Sequence, residues 1–379
     1  MSTISKKADD IRDVIKYIKK FNNATIVIYI DEKTIDSPLF SKHIMDIALL
    51  HQTGIKVVII PGARKRIDEI LTDSKISWKY HNDIRITSND AIPLIKMAAF
   101  DVSNIIMTSL AANNITALIG NWVRSRAKGI IDGFDYGCAG EIDKLDIDAL
   151  KNVLENGFIP IFPCIGWNSV GHPYNISSVS LAQQVAISLN ADKLFFMIED
   201  GKLNVKDCTI SPSTSFDEDF DITAINISDA SYFINNNPNH KLNKYIELSI
   251  QACSQGVTRV HIVNGKEEGV LPTEIFSNLG SGTMIYTNNY GQIRQMEQSD
   301  IPSVLSIMQP FFENGKLLPR TEEQLSAQKN DFFVYEFDDV IHACAALHFY
   351  EDNQAEIAAV AVDKNYVHMG IGPKMIHYL

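Results

Sequence analysis

Short apolar runs alternate with amphipathic stretches along most of this chain. Thr25–Ile30, residues 55–60, 115–119 and 158–162, and Lys193–Ile198 are near-continuous runs of Val, Ile, Leu and Phe. Residues 38–51, 91–112, 145–155 and 179–190 carry helical spacing instead. Strands without polar alternation are buried on both faces, so the pattern predicts a parallel sheet covered by helices on each side. Ile11, Val14, Ile15 and Ile18 fall at i, i+3, i+4 and i+7 and predict a first helix over residues 8–20. A helix around 240–255, a strand over 259–263, a helix near 272–277 and a strand over Thr283–Tyr286 extend the same rhythm.

The rhythm changes after the polar segment Thr287-Asn-Asn-Tyr-Gly291. Residues 292–296 predict a strand and 300–312 a helix, and Thr321-Glu-Glu-Gln324 has capping-box spacing ahead of Leu325. Three consecutive strands follow at 332–336, 340–350 and Ala355–Val362, and then the turn His368-Met369-Gly370-Ile371-Gly372-Pro373. The fold class is α/β: an open, mainly parallel sheet sandwich over residues 1–286, followed by an α+β domain with a mostly antiparallel sheet over residues 291–379. Gly370 and Gly372 permit close backbone approach, and Pro373 is suited to open a helix. Main-chain N–H groups gathered there, with the positive end of a helix, form a cradle for a pyrophosphate.

Composition narrows the function. The 379 residues carry 34 Lys plus Arg against 46 Asp plus Glu, a net charge of −12. That balance excludes a basic nucleic-acid-binding face. No apolar run approaches the roughly 20 residues of a membrane helix, and the N-terminus lacks the apolar core of a secretion signal, so a cytoplasmic protein is expected. Five scattered cysteines and ten histidines show no metal-ligand spacing, and no metal is expected.

Gly62-Ala63-Arg64, Asp132-Gly133 with Gly140-Glu141-Ile142, Tyr174-Asn175-Ile176, Lys193-Leu194 and the run from His261 to Met284 resemble the amino-acid kinase family. The resemblance covers most of the first 285 residues and is similar to acetylglutamate kinase. Working kinases of that family carry Lys-x-Gly-Gly after the first strand, where this chain has Tyr29-Ile30-Asp31-Glu32. Two carboxylates then stand where phosphates would bind, and like charges a few ångströms apart repel by about 4 kcal/mol at an effective dielectric near 20. An aspartate of the family's Asn-Ile-Asn-Ala-Asp run is Val179 here. The domain is therefore expected not to transfer phosphate. The resemblance implies instead an arginine sensor built from Lys193, Glu274, Gly280 and Gly282, with Tyr17 of the first helix.

The second domain resembles the GNAT acetyltransferases. The resemblance implies acetyl-CoA as co-substrate, held by the main chain of Val360, Ala361 and Val362 and by His368, Met369, Gly370, Ile371 and Gly372. Val367 stands where that family prefers arginine or glutamine, and Asn353 where some relatives have lysine. The order of the two parts is similar to the bacterial N-acetylglutamate synthases. That implies transfer of acetyl to the amine of L-glutamate, with Glu356 as base, Arg320 orienting the substrate carboxylate, and L-arginine as effector. It also implies a ring-shaped homo-oligomer, a hexamer. The alternatives are an acetylglutamate kinase or a non-catalytic arginine-binding regulatory protein. The segment after Gly372 is short for a GNAT domain, so a C-terminally incomplete domain is expected.

Overall fold

The computed structural model describes residues 12, 14–15, 18–206, 208–214, 216–276, 280–287, 291–337, 340–351 and 354–379. Ile11, Tyr17 and Asn353 lie outside them.

Eight strands form the central sheet of the first unit: β1 (Thr25–Ile30), β2 (Lys56–Pro61), β3 (Ala117–Ile119), β4 (Ile159–Ile161), β5 (Lys193–Ile198), β6 (Ala224–Asn226), β7 (Arg259–Asn264) and β8 (Thr283–Tyr286). Their spatial order is β6-β8-β7-β5-β1-β2-β4-β3, and neighbours are parallel except for β7 and β8. In β1, Ile26, Ile28 and Ile30 enter one core, whereas Val27 and Tyr29 enter the other. The period of two thus splits one apolar run between two buried faces. Helices α1 (Phe40–Gln52), α2 (Arg64–Asp73) and α3 (Ile92–Ala111) cover the first core; α4 (Ser178–Ser188) and α5 (Asn243–Ser254) cover the second. Helix α2 and a lateral four-stranded sheet (Val123–Ala127, Gly140–Leu145, Ile165–Trp167, Pro173–Asn175) were not evident from periodicity. Val123–Ala127 and Gly140–Leu145 are rich in charged residues, and the other two strands have three residues each, so no apolar run marks them.

One expectation needs correction. Helix α3 has 20 residues and is apolar enough, by length and composition, to cross a membrane. Ile92, Ile95, Ala98, Ala99, Val102, Ile106 and Leu110 are nevertheless buried in the first core, which makes it a packing helix of this body.

The second unit is a four-stranded antiparallel sheet in the order β9 (Gln292–Gln295), β10 (Phe332–Phe337), β11 (Val340–Phe349), β12 (Ala355–Val362). Helix α7 (Ile301–Glu313) packs on one face, with Leu325 of the short helix α8 (Glu322–Ala327), and α9 (Ile371–Tyr378) packs on the other. In the first unit a short helix, α6, spans Val270–Phe276 ahead of β8. Ala343, Cys344, Ala345 and Ala346 are all fully buried in β11. Small side chains on both faces let the two helices sit close to the sheet.

Overfilling that strand should expose the constraint. Ala345 faces α9, so Ala345→Leu is expected to cost about 1–3 kcal/mol in urea denaturation, because a core at crystal-like density has no space for three more carbons.

Candidate functional site

Strand β12 pairs on one side with β11 and lies at the edge of its sheet among the described residues. The ladder is interrupted: Cys344 pairs with Ala361 and Ala346 with Ala358, so Ala359 and Val360 together face Ala345. Ala359 adopts φ +52°, a left-handed conformation unusual for a residue with a Cβ. This is a β-bulge, which leaves main-chain groups out of the ladder and re-aims the side chains that follow. Beyond it Val360 and Val362 turn toward α9, and Ala361 toward α7. A 3₁₀ turn, Lys364–Met369, then leads to Gly370 at φ +64°, and α9 begins at Ile371. Nothing lies within 4 Å of where a Cβ on Gly370 would sit, so the conformation, not crowding, selects glycine there. Gly372 lies inside the first turn of α9, so the helix opens two residues ahead of Pro373. The expected main-chain residues of the cradle, from Val360 to Gly372, therefore form one continuous strand, turn and helix start.

Glu356 and Arg320 come to the same face of this sheet. Glu356 is exposed near the start of β12, opposite His348 on β11, and accepts a hydrogen bond from the Tyr350 hydroxyl at 2.7 Å. That carboxylate raises the Tyr350 phenol above its ordinary range. Arg320 lies over the Phe332 ring, 5.1 Å from its centroid, and donates to Gln328 Oε1 at 3.1 Å. The Phe332 ring in turn meets His348 edge-on at 6.4 Å, and His348 Nδ1 lies 2.9 Å from Asp331 Oδ2. Arg320, Phe332, His348 and Glu356 thus form a continuous file across the sheet. Sequence reasoning missed Phe332, His348 and Tyr350, because their proximity follows from strand register, which no local spacing reveals.

In the first unit Glu274, on α6, is buried. It accepts from Ser281 N–H at 2.6 Å and from Gly282 N–H at 2.9 Å, and lies 2.7 Å from His261 Nδ1. A Cβ on Gly280 would meet the Glu274 carboxylate at 2.7 Å, and one on Gly282 would meet the Ile262 carbonyl at 2.5 Å. Glycine is therefore required at both. Burial raises the Glu274 carboxyl, but His261, Gly282 and Lys193 together hold it below its ordinary value. Burial drives His261 down to about 4, with Lys193 adding to the effect, so its imidazole is neutral at pH 7. Lys193, Glu274, Gly280 and Gly282 are thereby brought together. His261, stacked on Phe195 at 4.7 Å, was the residue sequence reasoning left out of the group.

The cleft after β1 differs from a phosphate site. Asp31 accepts from Thr34 N–H at 2.7 Å and Glu199 N–H at 3.1 Å, so its own oxygens take main-chain donors that would otherwise face a ligand. Arg64 is bound to Asp83 at 2.6 Å and lies over Tyr80. Its carboxylate partner is thus a residue of this chain. Val179 is buried in the second core, in the first turn of α4, whose cap is Ser177. Among the described residues no group of three His, Cys, Asp or Glu is placed to hold a metal ion.

The profile of the Amino acid kinase family matches residues 2–264, and that of the Acetyltransferase (GNAT) family matches residues 301–379. An amino-acid acetyltransferase of Actinobacillus pleuropneumoniae serotype 7 (strain AP76) is 32% identical over 362 residues, covering 94% of this chain and 81% of that protein. One from Vibrio cholerae serotype O1 is 31% identical over 366 residues, again covering 94% of this chain and 82% of that one. The N-acetylglutamate synthase from Neisseria gonorrhoeae, solved in complex with coenzyme A and L-arginine, matches with a TM-score of 0.83 at 27% identity, over 100% of this chain and 87% of that chain. With both units matched in this order and a relative 32% identical over 94% of this chain, the chain belongs to the amino-acid acetyltransferases and joins an amino-acid kinase unit to a GNAT unit.

Proposed function

We propose that the chain transfers the acetyl group of acetyl-CoA to the amine of L-glutamate, in the cytoplasm, under feedback control by L-arginine. In this reading residues 1–286 form the regulatory unit and residues 291–379 the acetyl-transfer unit, and the protein works as a homo-oligomer, a hexamer. The observation that carries it is the bulged edge strand β12 running through Gly370 into α9, in a chain that matches an N-acetylglutamate synthase solved with coenzyme A and arginine.

The edge of β12 offers main-chain groups to the pantetheine arm as an added strand would. The N–H groups from Val360 to Val362 meet the oxyanion that forms when the amine attacks the thioester carbonyl. The main chain from His368 to Gly372 receives the pyrophosphate, and the helix start adds positive potential. An amino acid's ammonium must lose a proton before its nitrogen can attack. Glu356 takes it, directly or through water; the C–N bond forms, the C–S bond breaks, and the nitrogen's second proton passes to the departing CoA thiolate. Arg320 holds the acceptor's carboxylate, and Phe332 fixes the guanidinium plane beneath it. In the regulatory unit, Glu274 with Lys193 receives an arginine. His261 Nε2 is buried and lacks a hydrogen-bond partner among the described residues, which supports a polar ligand at that spot.

Glu356→Gln should lower kcat/KM about 10²–10⁴-fold in an assay of CoA release, with CoA affinity kept. Arg320→Ala should raise the KM for glutamate about tenfold or more and change kcat less. Equal loss in both parameters would refute the positioning role. Glu274→Gln should remove the response of the rate to arginine.

The buried histidine sets a pH signature. Its folded value near 4 lies below its ordinary 6.5. Between those values the unfolded chain binds a proton that the folded one excludes, so stability falls as pH drops from 6.5 toward 4. Urea titrations at pH 7, 6 and 5 should show this slope, and His261→Asn should flatten it.

A further inference from the structure

A deep cavity lies in the amino-acid kinase unit, apart from the groups assigned above to acetyl transfer and to arginine. It measures about 960 Å³, at the upper end of ordinary ligand sites, and its wall includes Glu32, Arg64, Arg85, Cys164, Asn175 and Lys244. Most charges on this wall are already paired within the chain. Arg64 and Lys244 both bind Asp83, at 2.6 and 2.7 Å. Asp31 is engaged by two main-chain N–H groups, and Lys33 pairs with Glu199.

Two groups of opposite sign are left with capacity. Arg85 is only 5% exposed and rests against the Tyr80 and Trp78 rings, with its guanidinium carbon 4.8 and 5.3 Å from their centroids. Its Nη2 donates to Asp68 at 2.5 Å, but its buried Nη1 has no hydrogen-bond partner among the described residues. A buried guanidinium N–H without an acceptor is costly and calls for an anion or carbonyl at that place. The second group is Glu32, whose Oε2 lies over Gly62, 2.8 Å from where a Cβ there would sit. Burial pushes its carboxyl up and Asp31 adds to the shift, against the opposing pull of Arg64 and Lys33, which are themselves paired with Asp83 and Glu199. Both line this cavity with Arg85 and Glu32 on its wall. The fully buried Cys164 thiol, pushed up to about 12 by burial, feels Arg85 and Glu32 with opposite effect.

We infer that this cavity binds a free α-amino acid, with the ligand's carboxylate on Arg85 Nη1 and its ammonium on Glu32. One open donor of positive charge and one open carboxylate match a zwitterion. A nucleotide or a dicarboxylate would bring further negative charge against Glu32 and Asp31, and an N-acylated amino acid would leave Glu32 without its cation. The side chain of the ligand extends into the remaining volume toward Asn175 and Lys244. The site is built on the same turn as the family's phosphate loop, with its polarity changed by Asp31 and Glu32.

The test is isothermal titration of the full chain, without coenzyme A, with L-glutamine as a zwitterion of neutral side chain and with N-acetyl-L-glutamine as its amine-blocked counterpart. Saturable binding of L-glutamine, about tenfold or more tighter than the acetylated form, is expected. Glu32→Gln and Arg85→Lys should each weaken it about tenfold or more, whereas Arg320→Ala should leave it unchanged. Near-ultraviolet circular dichroism checks folding; should Arg85→Lys fail to fold, Glu32→Gln decides. Absence of saturable binding, equal affinity for the two compounds, or binding that survives Glu32→Gln overturns the inference. Loss of binding in Arg320→Ala also overturns it, since the amino acid would then be held by the acetyl-transfer unit.

Discussion

The Asp31 carboxylate, at the end of the central strand β1, is the constraint around which the first unit is organised. Its two oxygens bind the N–H groups of Thr34 and Glu199 and so tie the end of β1 to the end of the neighbouring strand β5. Main-chain donors at strand ends must be satisfied, and here a side chain of the protein does what a bound phosphate does in a nucleotide fold. The unit keeps its sheet, its two cores and its cleft, with these main-chain donors taken by a side chain of its own.

The second unit solves a different problem with main-chain geometry. Its acetyl-transfer reading rests less on any one side chain than on the bulge at Ala359 and the left-handed Gly370, which present backbone groups outside the ladder. Ala359 occupies its conformation without glycine's freedom, a strain of the order of 1–3 kcal/mol that the packing of β11 and α7 must hold in place. Strained main chain beside a bound co-substrate is pre-organised, so less ordering is left for the reaction step.

Much of this was legible in the sequence. The five apolar runs that predict a parallel sheet are strands within two residues at each end, because each is buried on both faces and its composition speaks without its neighbours. The capping box Thr321 to Gln324 forms with both hydrogen bonds, because a cap is decided by four adjacent residues. What escaped depends on long-range register. The file from Arg320 through Phe332 and His348 to Glu356 draws on four separate segments, and the Arg64 to Asp83 pair joins a helix start to the turn of a separate hairpin, Lys79–His81 with Ile84–Ile86. Helix α3 was legible as a helix from its spacing over residues 91–112, whereas its burial in the first core, which separates it from a membrane span of the same apolar length, needed the fold.

The burial of Glu274 and His261 has a last consequence. Both side chains are 3% exposed, so counter-ions cannot approach them. Electrolyte screens charges that face water, over about 8 Å at physiological strength, and leaves such an enclosed pair almost untouched. The ionisation of this pair is therefore set by its protein neighbours rather than by the salinity of its surroundings.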